Sequence, residues 1–484
     1  GYDGTGVGRL WPLLTGERGE YVLATGGDAR PYLDALMQMA NEGRMLPEQI
    51  WDRVDSPASH LRFGEGTGSA TPLAWTNAQF VRLAIAIQEG KLPEMPEVVR
   101  RRYLEGSSTA HAEPAPDPAD PKFAELLAGG KAPMVAGSWV TFVYRGSGRE
   151  VELVGEFTDW QRRGMMLRTA PSGVRYLSMN FPADARLEYK FVVDNQWELD
   201  ALNPQKKDNG VGGENNFVIL PDYRPTADSQ ERSDVPHGRL EELKLMAGTL
   251  GERPVKVYLP PGYDSSQQRY PTIYFGDGLE YISRAKAHLI ADNLIAQKRM
   301  QPVIMVFAAP LNRMREYWMD DRYLAYLTSE LVPAVDARYR TQNAPAARAI
   351  GGASLGGLIS GYAAFQRPDV FGNVLGQSSA FQVNGGLAIS SVASSERKPV
   401  RFYLEAGRYE GLVEGNRAMK KALESKGYDF AYREYNFGHN WTHWEDVLAD
   451  GLSWIFPFPP IDGASDVTVR RPVTSAHFRR AMLG

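Results

Sequence analysis

Cysteine is absent from the 484-residue sequence, so neither a disulfide bond nor a thiolate metal site is possible. No run of about 18 apolar residues occurs, and the sequence therefore predicts no membrane-spanning helix. The net charge is only −4, which argues against a general nucleic-acid-binding function. The chain begins with Gly1 and shows no signal peptide. The compartment, whether cytoplasmic, periplasmic or secreted, therefore stays open.

A glycine-rich stretch in the second half carries the strongest chemical signal. A short apolar run ends in residues 352–356, Gly-Ala-Ser-Leu-Gly, and residues 358–365 then read as a helix. Strand, tight turn and helix are the context of a nucleophile elbow, in which a serine hydroxyl projects from the edge of a sheet. The alternative is a glycine-rich turn with an incidental serine. The flanking strand and helix favour Ser354 as a nucleophile.

A serine hydroxyl needs a histidine base and an acid that orients the base. The histidines that follow the elbow are His439, His443 and His477. His439 comes just after the last predicted strand, where it would face the elbow. His443 falls on the following helix, which is typical of a structural histidine, and His477 lies in an irregular tail. The sequence therefore predicts His439 as the base.

The acid is expected just after the predicted strand 399–405. Three glutamates are available there, Glu405, Glu410 and Glu414. Glu405 still belongs to the strand, and Glu414 opens a helix whose dipole favours an acid for other reasons. Glu410 lies in the loop between them and is the predicted acid.

Strand and helix patterns alternate through the second half of the chain. Predicted strands cover residues 253–259, 270–275, 302–309, 399–405 and 430–435, and predicted helices cover 283–298 and 321–339. This alternation predicts an α/β domain with a mostly parallel sheet and helices on both faces. The site of such a sheet lies at the carboxyl ends of its strands.

These segments resemble the enterochelin-esterase branch of the esterase-D superfamily, which also holds feruloyl and acetyl-xylan esterases. The resemblance rests on residues 352–357, 404–416 and 438–444. It implies an α/β-hydrolase fold and a triad of Ser, His and Glu at the three positions predicted above.

The same resemblance implies the rest of the catalytic apparatus. The backbone amides of Leu355 and Leu279 would form the oxyanion hole, and residues 313–316 would shape the acyl pocket. An acyl-enzyme would form on Ser354, and water would hydrolyse it. No metal or organic cofactor is implied.

Short alternating strands separated by turns indicate a small β-sandwich before the hydrolase domain. Residues 153–160, 189–197 and 213–216 resemble the glycogen-binding sandwich of carbohydrate-binding module family forty-eight. A similar early-set, Ig-like sandwich precedes the hydrolase domain in enterochelin-esterase-like proteins. In sugar-binding members two tryptophans stack on glucose rings while a lysine and an asparagine bond the hydroxyls. The matching positions are Trp160, Trp197, Lys190 and Asn215. Alternatively, both tryptophans belong to the core and the domain only supports the hydrolase.

The first hundred residues show amphipathic helical patterns at 28–43 and 77–90. Residues 10–18, 45–52 and 66–75 resemble the end of the catalytic domain of glucoamylase-type glycoside hydrolases (family fifteen), an (α/α)₆ barrel of inverting glucosidases. The resemblance implies that Glu48 is a general base. Inverting hydrolysis also needs a carboxylic acid, and the acid of this family lies upstream of the residues present. We expect this block to be inactive alone.

The sequence thus predicts a multidomain protein. Its parts are a truncated all-α, α/α barrel-type segment (1–105), a Pro/Ala-rich linker (106–121), a β-sandwich (122–224), an α/β-hydrolase domain (225–462) and a tail (463–484). The predicted function is hydrolysis of carboxylic esters. Because both neighbouring modules relate to carbohydrate, an ester on a carbohydrate is favoured over a siderophore, and glucan is an expected partner. The competing hypothesis is a glucan 1,4-α-glucosidase in a longer parent chain, or a carbohydrate-binding protein.

Overall fold

The computed structural model describes residues 10–92, 132–162, 164–245 and 250–459. The chain forms two compact units, residues 1–112 and 113–484. The predicted linker, the predicted tail and His477 lie outside the described residues.

The described part of the first unit contains three α-helices, α1 (Pro12–Ala24), α2 (Arg30–Gln38) and α3 (Ala74–Glu89), and a 3₁₀ helix at Pro57–Ser59. The sequence pattern predicted only α2 and α3, because Gly16 and Gly19 weaken the helical signal of α1. Both glycines lie against α3. A Cβ at Gly16 would lie 2.5 Å from Cγ of Gln79, and one at Gly19 would lie 2.8 Å from Cδ2 of Leu83. Close packing therefore stabilises α1 where propensity does not. The α/α barrel-type assignment stays a prediction.

The second unit begins with two antiparallel sheets that pack as a sandwich. The strands are β1 (Met134–Ala136), β2 (Trp139–Tyr144), β3 (Val151–Gly155), β4 (Arg168–Thr169), β5 (Arg175–Asn180), β6 (Arg186–Val193), β7 (Gln196–Glu198), β8 (Lys206–Asp208) and β9 (Glu214–Ile219). One sheet has the order β1-β2-β5-β4 and the other β3-β6-β9-β8, with β7 paired to β6. Alternate residues of β2 and β6, such as Phe142, Tyr189 and Phe191, fill the core between them.

An eight-stranded sheet forms the hydrolase domain. Its strands are β10 (Arg239–Glu242), β11 (Val255–Leu259), β12 (Thr272–Phe275), β13 (Ile304–Ala308), β14 (Arg348–Ala353), β15 (Asn373–Gln377), β16 (Arg401–Gly407) and β17 (Phe430–Tyr435). The order is β10-β11-β13-β12-β14-β15-β16-β17. The first two pairings are antiparallel and the other five are parallel. The predicted α/β architecture with a mostly parallel sheet is confirmed.

Helices cover both faces of this sheet. They are α4 (Gly278–Ser283), α5 (Ala287–Ala296), α6 (Arg313–Glu316), α7 (Asp321–Ala325), α8 (Val332–Arg338), α9 (Leu355–Gln366), α10 (Val383–Ser394), α11 (Val413–Ser425) and α12 (Trp441–Ile455). Two apolar cores result, one on each face. The strands between the cores are almost wholly buried, as a parallel sheet requires.

Two predicted helices differ from the sequence pattern, and strands β10 and β15 of the hydrolase sheet were not predicted. The helix predicted at 321–339 is interrupted by a π-helical turn at Tyr326–Leu331, and the helix predicted at 283–298 is shorter, with α4 ahead of it. Strand β15 was missed because it is short, has polar residues at both ends and contains Gly376. It is nevertheless fully buried in the centre of the sheet.

Candidate active site

Ser354 occupies the turn between β14 and α9 with φ 59° and ψ −121°. This conformation is strained for any residue with a side chain. Gly352 makes the turn possible, because a Cβ there would lie 2.6 Å from the carbonyl carbon of Gly356. The Ser354 amide donates to the carbonyl of Gln377 at 2.9 Å, which ties the turn to the end of β15. The geometry is that of a tight strand-turn-helix elbow.

The two amides predicted for the oxyanion hole begin neighbouring helices. Leu355 is the first residue of α9 and Leu279 is the second residue of α4. Amides in a first helical turn have no acceptor within the helix. Strands β12 and β14, which lead into the two helices, are paired in parallel. Both turns therefore lie at the same edge of the sheet, and the role of the two amides stays a prediction.

Glu410 and His439 are in direct contact beyond the ends of β16 and β17. Nδ1 of His439 lies 2.6 Å from Oε2 of Glu410. The amide of Gly407 donates to Oε1 of the same carboxylate at 3.0 Å. The Glu410 side chain is fully buried, whereas 31% of the His439 side chain is exposed. A buried carboxylate fixed on one oxygen by the backbone can therefore orient the imidazole with the other.

The other glutamates near this edge have different partners. Oε2 of Glu405 lies 2.8 Å from Nε2 of His443, and both side chains are fully buried. Burial lowers the pKa of His443, but the charge and hydrogen bond of Glu405, the charge of Glu410 and the bond to Gly438 together outweigh it, and the net pKa is raised to about 9. Burial raises the pKa of Glu405. Glu414 pairs with Arg417 at 2.6 Å on an exposed face of α11.

An ion pair that the sequence did not predict lies beside the elbow. Nη2 of Arg313 donates to Oδ2 of Asp277 at 2.8 Å and to the carbonyl of Ala353 at 3.3 Å. Asp277 precedes α4 and has φ 53°. Its amide donates to the Tyr317 hydroxyl at 2.7 Å. Arg313 thus joins the turn before Leu279 to the residue before Ser354. The only sequence signal was the position of Asp277 between two glycines.

The four residues matched to a sugar site all belong to the sheet that contains β3, β6, β7 and β9, or to the turn after β3. The rings of Trp160 and Trp197 lie 6.5 Å apart at an angle of 38°, and Trp197 is 50% exposed. Neither ring belongs to the described core of the sandwich. Lys190 is half-buried on β6. Asn215 is buried, and its Nδ2 donates to Oε2 of Glu188 at 2.9 Å, so only part of its amide is free for a ligand.

Glu48 lies in the segment between α2 and α3 of the first unit. Its side chain is half-buried, and its amide donates to the carbonyl of Ala70 at 2.9 Å. A cleft of about 750 Å³ includes the preceding Pro47 in its wall. A role for Glu48 as general base stays a prediction.

Across the described ranges, no cluster of three or more His, Asp or Glu side chains could hold a metal ion. In that same part of the chain, no helix combines the length and the apolarity that a bilayer crossing requires.

Two family models match the second unit. Residues 247–455 match the family described as putative esterase. Residues 138–223 match the glycogen recognition site of AMP-activated protein kinase. The two matched ranges cover most of the hydrolase domain and of the sandwich.

Two curated relatives match different parts of the chain. A glucoamylase of Clostridium sp. (strain G0005) is 47% identical over 103 residues, which are 21% of this chain and 13% of the relative. An endo-1,4-β-xylanase/feruloyl esterase of Xylanibacter ruminicola is 31% identical over 156 residues, or 29% of this chain and 22% of the relative. The chain thus spans less than a quarter of the length of either relative.

A solved structure covers most of the second unit. The ferric enterobactin esterase of Salmonella typhimurium superposes with a TM-score of 0.55 at 21% identity, over 66% of this chain and 93% of that one. At this identity the similarity establishes the fold alone. The chain is therefore a composite of a glucoamylase-like N-terminal region, a glycogen-recognition-type sandwich and an esterase-type α/β domain.

Proposed function

We propose that this chain hydrolyses carboxylic esters through an acyl-enzyme on Ser354. One observation carries the proposal: the 2.6 Å contact between His439 and Glu410 lies at the sheet edge where Ser354 occupies its strained turn. The family match over residues 247–455 supports the reaction class. Serine, acid and histidine follow one another in the chain order that this fold uses.

The proposed mechanism assigns one task to each group. His439 removes the proton from Ser354 as its oxygen attacks the ester carbonyl, and then returns that proton to the leaving alcohol. Glu410 holds the Nδ1 side of the imidazole, so that Nε2 is the atom that faces the serine. The amides of Leu355 and Leu279 stabilise the oxyanion. Water then hydrolyses the acyl-enzyme with His439 again as the base.

An ester carried on a carbohydrate is the substrate class we favour. The sandwich matches a glycogen-recognition model, and one relative of the chain is named a xylanase/feruloyl esterase. The structural neighbours named for enterobactin support the fold and not the substrate. The substrate assignment therefore rests on the carbohydrate-related parts that precede the hydrolase domain in the chain.

Ser354→Ala tests the reaction. We expect kcat for p-nitrophenyl acetate to fall by roughly 10⁴-fold or more, because loss of the nucleophile disables the whole triad. A fluorophosphonate probe should label the parent chain at Ser354 and leave the variant unlabelled. The matched control is Ser394→Ala, which changes a serine in α10 whose hydroxyl bonds only the carbonyl of Ser390. Undiminished hydrolysis by Ser354→Ala would refute the proposal.

Glucan binding by the sandwich is a second candidate function. It is favoured by the paired rings of Trp160 and Trp197, one of which is half-exposed. Indole faces bury the apolar face of a glucose ring. We expect Trp160→Ala and Trp197→Ala each to weaken retention on amylose about 10-fold, with the esterase activity of Trp197→Ala unchanged. Trp75→Ala, which removes an exposed tryptophan of the first unit, is the control. Equal retention of all three variants would contradict a sugar site at the pair.

A further inference from the structure

A single turn of the sandwich contacts the chain next to both predicted catalytic residues. The turn follows β3. Oδ1 of Asp159 accepts a hydrogen bond from the amide of Gly411 at 2.9 Å. Oε1 of Glu156 accepts one from Nδ2 of Asn440 at 2.5 Å. Gly411 directly follows Glu410, and Asn440 directly follows His439.

The contact leaves no room for side chains on the hydrolase side. A Cβ at Gly411 would lie 2.2 Å from Oδ2 of Asp159. A Cβ at Gly438, which precedes His439, would lie 2.2 Å from Cδ of Glu156. The glycines therefore allow both catalytic loops to approach the two carboxylates closely.

The turn is itself well fixed. The amide of Asp159 donates to the carbonyl of Glu156 at 2.8 Å. Asp159 has φ 53°, a left-handed conformation that Asp and Asn tolerate better than most residues. Oε2 of Glu156 accepts from the amide of Glu188 on β6 at 2.9 Å. The carboxylate of Glu156 is thus held by the sandwich backbone, and the backbone of Asp159 is fixed by its bond to the carbonyl of Glu156.

Asn440 links Glu156 of the sandwich to the helix that follows His439. Its Nδ2 is bound to Glu156, while its Oδ1 caps α12 by accepting from the amide of His443 at 2.9 Å. Nδ1 of His443 lies 3.0 Å from the carbonyl of Gly438. The loop that carries His439 is therefore held between α12 on one side and the sandwich on the other.

From these contacts we propose that Asp159 and Glu156 are positioning residues that fix Glu410 and His439 relative to each other from outside the hydrolase domain. The inference rests on the proposed esterase function. Catalytic groups work only when held within about 0.5 Å of the productive geometry, and a misplacement of about 1 Å can reduce the rate about 100-fold. The sandwich is then a structural part of the esterase site, independently of any binding of sugar.

Two substitutions at Asp159 distinguish the effect of its hydrogen bond to Gly411 from the effect of its left-handed backbone conformation. Asp159→Gly keeps the left-handed conformation but removes the acceptor, whereas Asp159→Asn keeps both. With p-nitrophenyl acetate and the full chain, we expect Asp159→Gly to lower kcat about 10- to 100-fold with KM changed less than twofold. Asp159→Asn should retain kcat within about threefold. p-Nitrophenyl acetate carries no sugar for the sandwich to bind, so a change in KM would indicate a role other than positioning.

Asp194→Gly is the matched control. Asp194 also has a positive φ of 44° and also accepts hydrogen bonds from backbone amides, those of Arg149 and Glu150. Its partners lie within the sandwich. We expect this variant to keep the kcat of the parent chain. An equal loss in Asp194→Gly and Asp159→Gly would overturn the proposal, because general damage to the sandwich would then explain both.

Gly411→Ala disrupts the same contact from the hydrolase side. It replaces Asp159→Gly as the test variant if Asp159→Gly does not fold. We expect it also to lower kcat at constant KM. In the double variant with Asp159→Gly, the loss should not exceed that of the worse single variant, because one contact underlies both. Full kcat in either single variant, or strictly multiplicative losses, would refute the positioning role. Ser354→Ala distinguishes failure of the positioning role from failure of the esterase proposal. If the esterase proposal is wrong, Ser354→Ala stays active; if only the positioning role is wrong, Ser354→Ala is inactive.

Discussion

At the scale of single residues, Ser354 holds a backbone conformation that glycine adopts more easily. Its φ of 59° and ψ of −121° cost on the order of 1–3 kcal/mol for a residue with a side chain. The surrounding bonds keep it there, since its amide donates to Gln377 and its carbonyl accepts from Ala380.

Ser354→Gly should therefore stabilise the hydrolase domain while it abolishes ester hydrolysis. Relief of the strained φ exceeds the entropic cost of glycine, which is about 0.5–1 kcal/mol. We expect the free energy of unfolding to exceed that of the parent chain by roughly 1 kcal/mol, which appears as a higher midpoint of urea unfolding. Ser354→Ala keeps a Cβ and should show no such gain. If the Gly and Ala variants unfolded at the same urea concentration, the turn would not be strained.

The predicted triad residues could be chosen from sequence because chain order and strand ends restrict the choice. Ser354, Glu410 and His439 each follow a strand of one parallel sheet, and that rule needs no knowledge of side-chain packing. The contact between Arg313 and Asp277, and that between Glu156 and Asn440, could not be predicted in this way. Their partners are 36 and 284 residues apart, and no periodic pattern relates them.

At the scale of elements, the sequence predicted strands with continuous β-branched or aromatic runs and missed those without them. Strand β15, with a glycine between polar ends, forms only because β14 and β16 flank it. Helix α1 contains two glycines and forms only because α3 lies close to them. In both cases tertiary packing overrides a weak local preference.

The position of β15 changes the geometry expected of the site. It separates the strand before Ser354 from the strand before Glu410. Its end is bonded to both, because Gln377 accepts from the Ser354 amide and the Ser378 amide donates to the carbonyl of Glu405 at 2.8 Å. The end of β15 thus sets the distance between the turn at Ser354 and the strand that precedes Glu410.

At the scale of the whole molecule, the sandwich and the hydrolase domain share a buried carboxylate. Burial and the charge of Glu188 raise the pKa of Glu156 to about 8, while Arg186 and the donors from Glu188 and Asn440 act in the opposite direction. A carboxyl group whose pKa is higher in the folded chain binds more protons folded than unfolded. Its contribution to stability is therefore complete below pH of about 4.5 and is lost as the pH rises through about 8.

The second unit should accordingly unfold more easily at pH 8 than at pH 5, and Glu156→Gln should remove part of this difference. We expect the pH-dependent fall in melting temperature to shrink by roughly 5–10 °C in the variant. Differential scanning calorimetry across this range measures it. His443 and Glu405 titrate in both chains, so their effect cancels in the comparison. Glu214→Gln, an exposed glutamate of the same sandwich, should leave the profile unchanged. A parallel shift of the Glu156→Gln profile would contradict the prediction.

The two glycines that face the sandwich also limit how these domains can be recombined. Gly411 and Gly438 admit the carboxylates of Asp159 and Glu156 and nothing bulkier. A foreign sandwich of identical topology would dock correctly only if its own turn presented two acids at the same spacing. In chimeras built from this chain, residues 134–455 should therefore be transferred together, because the turn of the sandwich and the loops of the hydrolase domain fit only each other.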